Sequence, residues 1–313
     1  MSFKGTWCIA LCMAVAFAET PGTNSKSQKP QTMDNPIKVL HLDFCVDECA
    51  AEVYINGIPL KYYKSPHQFV SMPLLPYVVE GINTLELVID IGLTPSRAKE
   101  ASEVVDNPKR TREEGFAEAK VVRYPEGVYP GDPAGEVLAT LGFDVIAATD
   151  KKPRIARATF EIKKGDEPNL MRWAWVDAKK IDLKKDGEEI RKTVEYVWQC
   201  FSKGDYTAEM FALKKICLQE DTHAYPAGRG VDGTRRRMEQ YLSSLIAEPD
   251  WGIVPLDPDQ FDFRLCADGR LVQIISKDWV PTVRSVPLKD YGGPVDYAMF
   301  LGKVNGKFVA LRP

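Results

Sequence analysis

His223 stands between Asp221 and Tyr225 in the run EDTHAYP, beside Pro226 and Gly228. An imidazole close to a carboxylate has the makings of a general base with an orienting partner, so Asp221 and His223 form one candidate catalytic pair. The plainer alternative is a loop histidine held by a local turn hydrogen bond. A triad also needs a nucleophile, and the chain has no G-x-S-x-G elbow. It has no Gly-rich phosphate loop, H-E-x-x-H pair or Cys-x-x-Cys pair either. Carboxylates are plentiful without any pair standing out as an acid–base couple, although carboxylate enzymes often leave no local signature. On these residues no cofactor and no metal is expected, and the chain reads as a non-enzyme rather than an enzyme.

A second constellation is basic. Arg229, Arg235, Arg236 and Arg237 surround the glycine-rich turn GRGVDGTRRR, which opens an expected helix. Helix N-termini already carry unsatisfied N–H groups and the positive end of the dipole. Three arginines there are unfavourable unless something negative is close: an anionic ligand or an acidic patch on a protein partner. The alternative is a solvated face with ion pairs to Glu239 or Asp232. Trp173 and Trp175 alternate along an expected strand and share a face. They could stack on a sugar, but such a pair is more simply sandwich core. Trp251 and Trp279 carry the same ambiguity.

The first eighteen residues read as a secretory signal: Lys4 as the positive n-region, an apolar run over 7–17, and Ala16-Phe17-Ala18 as the cleavage site before Glu19. The run is too short to span a bilayer, and no later segment reaches the ~20 apolar residues a spanning helix needs. Leu11 before Cys12 and Trp7 before Cys8 disfavour a lipid anchor. The expected location is therefore outside the cytoplasm, in the bacterial periplasm, where disulfides persist. Cleavage leaves Cys45, Cys49, Cys200, Cys217 and Cys266. Cys45 with Cys49 across a polar turn, and Cys200 with Cys217 on consecutive helices, are the candidate bridges; five buried thiols are the alternative. A net charge of −3 does not attract a polyanion strongly, which weighs against nucleic-acid binding, and it is too small to imply a cationic partner.

Residues 19–36 are polar and rich in Ser, Thr, Pro and Asn, a flexible leader. From Ile37 the period is two. Strands are expected from 37, over 51–55, 58–63, 68–72, 84–91, 119–123, 136–143, 155–162 and 171–176, with Asn56-Gly57 as a hairpin turn. Residues 94–117 form a charged surface excursion broken by Pro108, partly helical at most, either a recognition loop or a variable solvated insertion. Beyond Asp177 the period changes to 3.6. Ile190, Val194, Val197, Trp198 and Phe201 mark one helix, ended by Gly204. Tyr206, Met210, Leu213 and Cys217 mark a second, and Met238, Tyr241, Leu242, Leu245 and Ile246 a third, stopped by Pro249. Strands follow at 261–266, 271–276, 295–302 and 307–311, with turns at Asp268-Gly269 and Asn305-Gly306. The expected fold is α+β: an antiparallel β-sandwich over 37–180 and a helix-then-sheet layer over 181–313.

Two stretches, AEVYINGIPL at 51–60 and YVVEGINTLEL at 77–87, resemble the galactose-binding-like, jelly-roll sandwiches that accompany exported glycosidases. The resemblance covers roughly 50 residues and implies ligand binding or scaffolding, with no matching ligand constellation. The element order of 185–313 looks like the nuclear-transport-factor-2-like cone. The likeness implies an Asp, His or Tyr inside the cone in active members, whereas the one His of this half, His223, sits just after the expected second helix. The expected function is a non-catalytic exported binding protein that engages or neutralises a protein partner through the charged excursion at 94–117 and the arginine-bearing face. The alternative is a small-molecule or carbohydrate-binding module, with a hydrolase as its active form, using the cone.

Overall fold

The computed structural model describes residues 38–64, 67–89, 94–100, 102–104, 115–125, 127–144, 153–204, 208–226 and 230–312. The expected signal peptide and leader, Tyr206, Arg229 and residues 105–114 of the excursion lie outside them. The chain is mixed α+β, mostly antiparallel sheets with four helices among the described residues.

Strands β1 (Lys38–Asp47), β2 (Ala50–Ile55), β3 (Ile58–Lys64), β4 (Gln68–Pro73), β5 (Gly81–Ile89), β6 (Glu103–Val104), β7 (Phe116–Pro125), β8 (Glu136–Asp144) and β9 (Arg154–Ile162) build two sheets. One has the order β4-β1-β7-β8, the other β3-β2-β5-β9-β6, and only the short β6 runs parallel to its neighbour. Alternation decides which face is apolar. In β1, Leu40, Leu42, Phe44 and Val46 enter the core, and His41, Asp43 and Cys45 take the other face. Leu85, Leu87 and Ile89 of β5 enter the same core, while Val88 packs with Tyr54 and Ile155 on the reverse side. Asn56 and Gly57 both have positive φ, 50° and 73°, as a type I′ turn requires. The turn is stitched to β5 by Asn56 Nδ2 donating to Asn83 Oδ1 at 2.8 Å and Thr84 N donating to Asn56 Oδ1 at 3.0 Å.

The remainder contains α1 (Ala174–Asp177), α2 (Leu183–Lys203), α3 (Ala208–Ala224) and α4 (Gly230–Ile246). A sheet of β10 (Phe261–Cys266), β11 (Leu271–Ser276), β14 (Phe300–Val304) and β15 (Lys307–Arg312) follows, in the order β10-β11-β14-β15. A two-stranded ribbon pairs β12 (Val283–Arg284) with β13 (Asp296–Tyr297). Asp182 caps α2 by accepting from Lys184 N at 3.1 Å, and Gly204 ends it in the left-handed region at φ 65°. Ile190, Val194, Val197, Cys200 and Phe201 form its buried face. This core also takes Met238, Leu242 and Leu245 from α4 and Val272, Ile274 and Leu301 from the sheet. The first core is not confined to the N-terminal strands: Ala224, Cys266, Ala267, Leu271, Phe300 and Leu311 belong to it. Helix α3 reaches both cores, with Met210, Phe211 and Leu218 in one and Ala224 in the other.

Several expectations are corrected. Residues 171–176 are not a strand: Trp173 and Trp175 flank and enter the short α1. Their alternation mimics a strand, but both indoles dock on the 74–79 segment, where Trp173 Nε1 donates to Val78 O at 2.7 Å and Trp175 Nε1 to Pro76 O at 3.0 Å. A buried indole N–H needs an acceptor, and carbonyls outside a ladder supply it. Both tryptophans are core, as the sequence suggested. Residues 295–302 are divided between β13, which pairs with β12, and β14, which pairs with β11; Tyr297 packs against Phe201, ring centroids 4.6 Å apart. The start of the 94–117 excursion is not a solvated loop: Pro95 and Ala98 are buried, and Glu103–Val104 joins a sheet.

No disulfide joins the described cysteines; Cys45, Cys49, Cys200, Cys217 and Cys266 are thiols. Cys45 lies on the face of β1 opposite the core, whereas Cys49 is buried in the core and directs its thiol to Phe116 O at 3.4 Å. Cys200 faces the second core, and Cys217 directs its thiol to Asp221 Oδ2 at 3.5 Å.

Candidate functional site

Three places assemble polar chemistry. The most enclosed is a junction between β2 and β10. Because Ala51, Val53 and Ile55 turn to the core, Glu52 and Tyr54 project from the opposite face of β2. Arg264 of β10 meets them there. Its Nη2 donates to Glu52 Oε1 at 2.7 Å and its Nη1 to Glu52 Oε2 at 2.8 Å, a bidentate pair. Nη1 also reaches Tyr54 Oη at 3.2 Å and Pro95 O at 3.3 Å, and Nε donates to Gln273 Oε1 at 2.8 Å. Tyr54 donates to Glu52 in a short hydrogen bond. Burial alone would depress the Arg264 pKa, but the Glu52 charge beside it raises it further above the ordinary arginine range. Burial and the same carboxylate hold Tyr54 protonated well above the usual tyrosine range. Lys99 pairs with Glu86 and lies 3.6 Å from the centroid of the Tyr54 ring.

A cavity of about 110 Å³ opens beside this junction, between Tyr54, Gly57, Ser96, Lys99, Arg264 and Cys266. It has room for a few waters or a small polar molecule. The guanidinium on its wall is already engaged on every nitrogen, so it offers no spare donor to an anion. Trp279, which does not line the cavity, has a left-handed backbone, φ 64°. Its ring stacks on Tyr62 at 4.4 Å and lies 5.6 Å from Arg264. With neighbours at those distances it is a structural lid on the arginine rather than an open platform for a sugar.

The second place is the interior between the helices and the C-terminal sheet. Phe201, Leu242, Trp251, Arg284, Asp296 and Tyr297 surround a cavity of about 10 Å³ there, about the room of one water. Lys214 of α3 is buried, its ammonium 4.2 Å from the centre of the Tyr297 ring.

The third place was not singled out in the sequence. On the outer face of the four-stranded sheet, Ser71 donates to Asp43 Oδ1 at 2.6 Å and lies 2.9 Å from His41 Nδ1. Tyr124 donates to Asp43 Oδ2 in a short hydrogen bond, and Gly131 N donates to Tyr124 Oη at 2.7 Å. With the Ser71 proton on Asp43, His41 is the donor through Nδ1–H, so this is an orienting chain and not a nucleophile–base pair. Burial holds the His41 pKa below its ordinary value, against the pull of Asp43. Tyr124 is pushed up to about 12, first by burial and then by its bond to Asp43. The signal that could have found it is the spacing of His41 and Asp43, two apart on one strand and therefore on one face.

His223, Asp221 and the arginines of α4 lie apart from these three places. His223 is not in a loop after the helix but in the last turn of α3, exposed. Asp221 is two residues away on the same helix, a spacing at which side chains do not face each other. The Cys217 thiol, four residues back, is directed to Asp221 instead. Arg235, Arg236 and Arg237 lie in the second turn of α4, not around its first N–H groups. Arg235 pairs with Glu239 at 3.0 Å and covers the Phe211 ring at 4.6 Å. Arg236 is exposed and reaches only Asp232 O, at 3.4 Å, while Arg237 is half-buried. Among the described residues no group of three or more His, Cys, Asp or Glu could hold a metal ion, and no helix is long and apolar enough to cross a membrane.

Comparison with protein-family models, with characterised proteins and with solved structures finds no match for this chain.

Proposed function

We propose that this chain is an exported, non-catalytic binding protein of the bacterial periplasm. It engages or neutralises a protein partner through the arginine-bearing face of α4. The carrying observation is the contrast in how the cations are used. Arg264 and Arg312 are buried against Glu52 and Glu220. Arg235 keeps 46% of its side chain exposed, and the neighbouring Arg236 is exposed as well. An exposed pair four residues apart on a helix is worth only about 0.3–0.5 kcal/mol. Glu239 therefore competes weakly for Arg235 against carboxylates on a partner, which would meet two planar, bidentate donors. The jelly-roll-like sandwich over 37–180 and the cone-like layer over 181–313 serve in this reading as the scaffold, and no cofactor is needed.

The test is affinity capture from an envelope extract with the chain from Glu19 onward, in parallel with an R235A/R236A variant. One stoichiometric partner, held at least about tenfold less well by the variant, is the expected result. Equal retention would remove the arginine face from the reading. Absence of a stoichiometric partner, together with thermal stabilisation by a sugar or metabolite, would favour the small-molecule reading. Its observation is the cavity of about 110 Å³ beside Arg264, roomier than the interior of the C-terminal layer.

A further inference from the structure

The loop between β7 and β8 holds an aromatic ring out in water. Tyr129 is 84% exposed, and Val137, at the start of β8, is 53% exposed. The ring is not there because the loop is slack. Gly131 N is anchored on Tyr124 Oη at 2.7 Å, and Tyr124 is tied to the buried Asp43. Asp132 N donates to Tyr129 O at 3.2 Å, Gly135 N to Asp132 O at 3.1 Å, and Ala134 N to Asp132 Oδ1 at 2.8 Å. Gly135 sits so close over the Tyr124 ring that a Cβ there would approach it to 2.6 Å. The loop is thus clamped to the sheet with its one large aromatic side chain pointing away.

Beside the loop, β8 ends its sheet. Among the described residues it pairs with β7 alone, leaving a nine-residue edge. An edge of that length exposes a row of N–H and C=O groups that can accept another strand. The charge is one-sided. From Tyr124 to Asp144 the chain has four carboxylates (Glu126, Asp132, Glu136, Asp144) and no Lys, Arg or His. Arg123, buried below, is shared among Glu136 at 3.2 Å, Asp166 at 3.4 Å and Glu167 at 2.8 Å. The whole-chain charge of −3 gives no sign of this concentration.

We infer that the β8 edge and the Tyr129 loop form a docking surface for an extended, Lys- or Arg-bearing segment of a protein partner, which adds to the sheet as a strand. The inference rests on the binding-protein reading above but uses a different face from α4. Main-chain hydrogen bonds to β8 supply affinity, Val137 offers an apolar contact, and the Tyr129 ring takes a cation with Asp132 beside it. Prior ordering of the loop means little conformational entropy is lost when the ring is covered.

The probe is a fluorescent ten-residue peptide alternating lysine with valine, titrated into the full chain by anisotropy. Its glutamate counterpart and a version N-methylated at alternate backbone positions serve as controls. Saturable binding of the lysine peptide is expected, weakened at least about tenfold by Tyr129→Ala, by Val137→Lys and by N-methylation. Asp132→Asn, which keeps the turn, weakens it less. Both Tyr129 and Val137 are exposed, so these variants fold as the parent does. No binding of the lysine peptide, equal binding of either control, or indifference to Tyr129→Ala and Val137→Lys overturns the inference. R235A/R236A leaves peptide binding unchanged, so loss of partner capture by that variant concerns the earlier reading and not this one.

Discussion

Arg264 and Arg312 are both buried cations joining the C-terminal sheet to the rest of the molecule, yet they are held in opposite ways. Arg264 is bound to both oxygens of Glu52, to Tyr54, to Gln273 and to a backbone carbonyl, beside a cavity. Arg312 is completely buried, and Nη1 alone carries its hydrogen bonds, to Glu220 Oε2 at 2.8 Å and Leu311 O at 2.6 Å. Its Nε and Nη2 have no hydrogen-bond partner and lie among the rings of Trp173 at 5.4 Å and Tyr77 at 5.8 Å. The first is a saturated polar network, the second a desolvated charge packed as if it were an apolar side chain. A buried ion pair contributes to stability only when its remaining donors are satisfied, so the two should respond differently to the same substitution.

The largest effect expected is from Arg264→Met, which leaves Glu52 buried without its cation and lowers stability in urea by about 3–5 kcal/mol. Arg312→Met should lower it by only about 1–3 kcal/mol, because it also relieves two buried, unpaired donors. The double variants sharpen the comparison. R312M/E220Q should return to within about 1 kcal/mol of the parent, since the side-chain amide oxygen introduced by Glu220→Gln would still accept from Ala174 N. R264M/E52Q should stay at least about 2 kcal/mol below it, because Tyr54 and Gln273 have also lost their partner. Equal losses in the two series would erase the distinction.

A smaller effect separates both arginines from the four-stranded sheet. Between pH 7 and pH 5 a stability change is expected from His41. Its folded pKa lies below the ordinary value near 6.5, so the unfolded chain binds the proton more readily. The contribution is intact above about pH 6.5 and lost as the pH falls through the folded pKa. Unfolding free energies of the parent should drop over this window, and His41→Gln should flatten the drop. An unchanged slope would place the sensitive group elsewhere.

The smallest readout is chemical. Burial pushes the Cys266 thiol up to about 12, with Arg264 pulling it part of the way back. At pH 8 a thiol reagent should modify Cys266 at least about tenfold more slowly than the half-buried Cys45. Comparable rates would mean that the Arg264 junction opens on the labelling timescale.

Much of the secondary structure was legible because its causes are local. Asn56-Gly57, Asp268-Gly269 and Asn305-Gly306 are turns since those residues tolerate positive φ. Gly204 ends α2 for the same reason, and the 3.6-residue stripe of α2 finds its core. The failures have a common origin. Trp173 and Trp175 alternate as a strand would, but carbonyls nearly a hundred positions away decide where their indoles go. His223 and Asp221 are neighbours in the sequence and strangers on the helix. The charge of Arg235 and Arg236 is legible in the sequence, whereas their exposure is set by the fold.

The sequence by itself determined the alternation, the helix stripes, the caps, the hairpin turns and the α+β class, all of which depend on residues within one or two turns of one another. Only the tertiary structure decided that Glu52 meets Arg264, 212 positions later, and that Glu220 meets Arg312. It alone placed Ser71 beside His41 and set the acidic Tyr129 loop against a strand that, among the described residues, pairs on one side only. Ion pairs and edges arise from which strands become neighbours. That choice minimises exposed apolar area over the whole chain, a sum to which no single motif holds the answer.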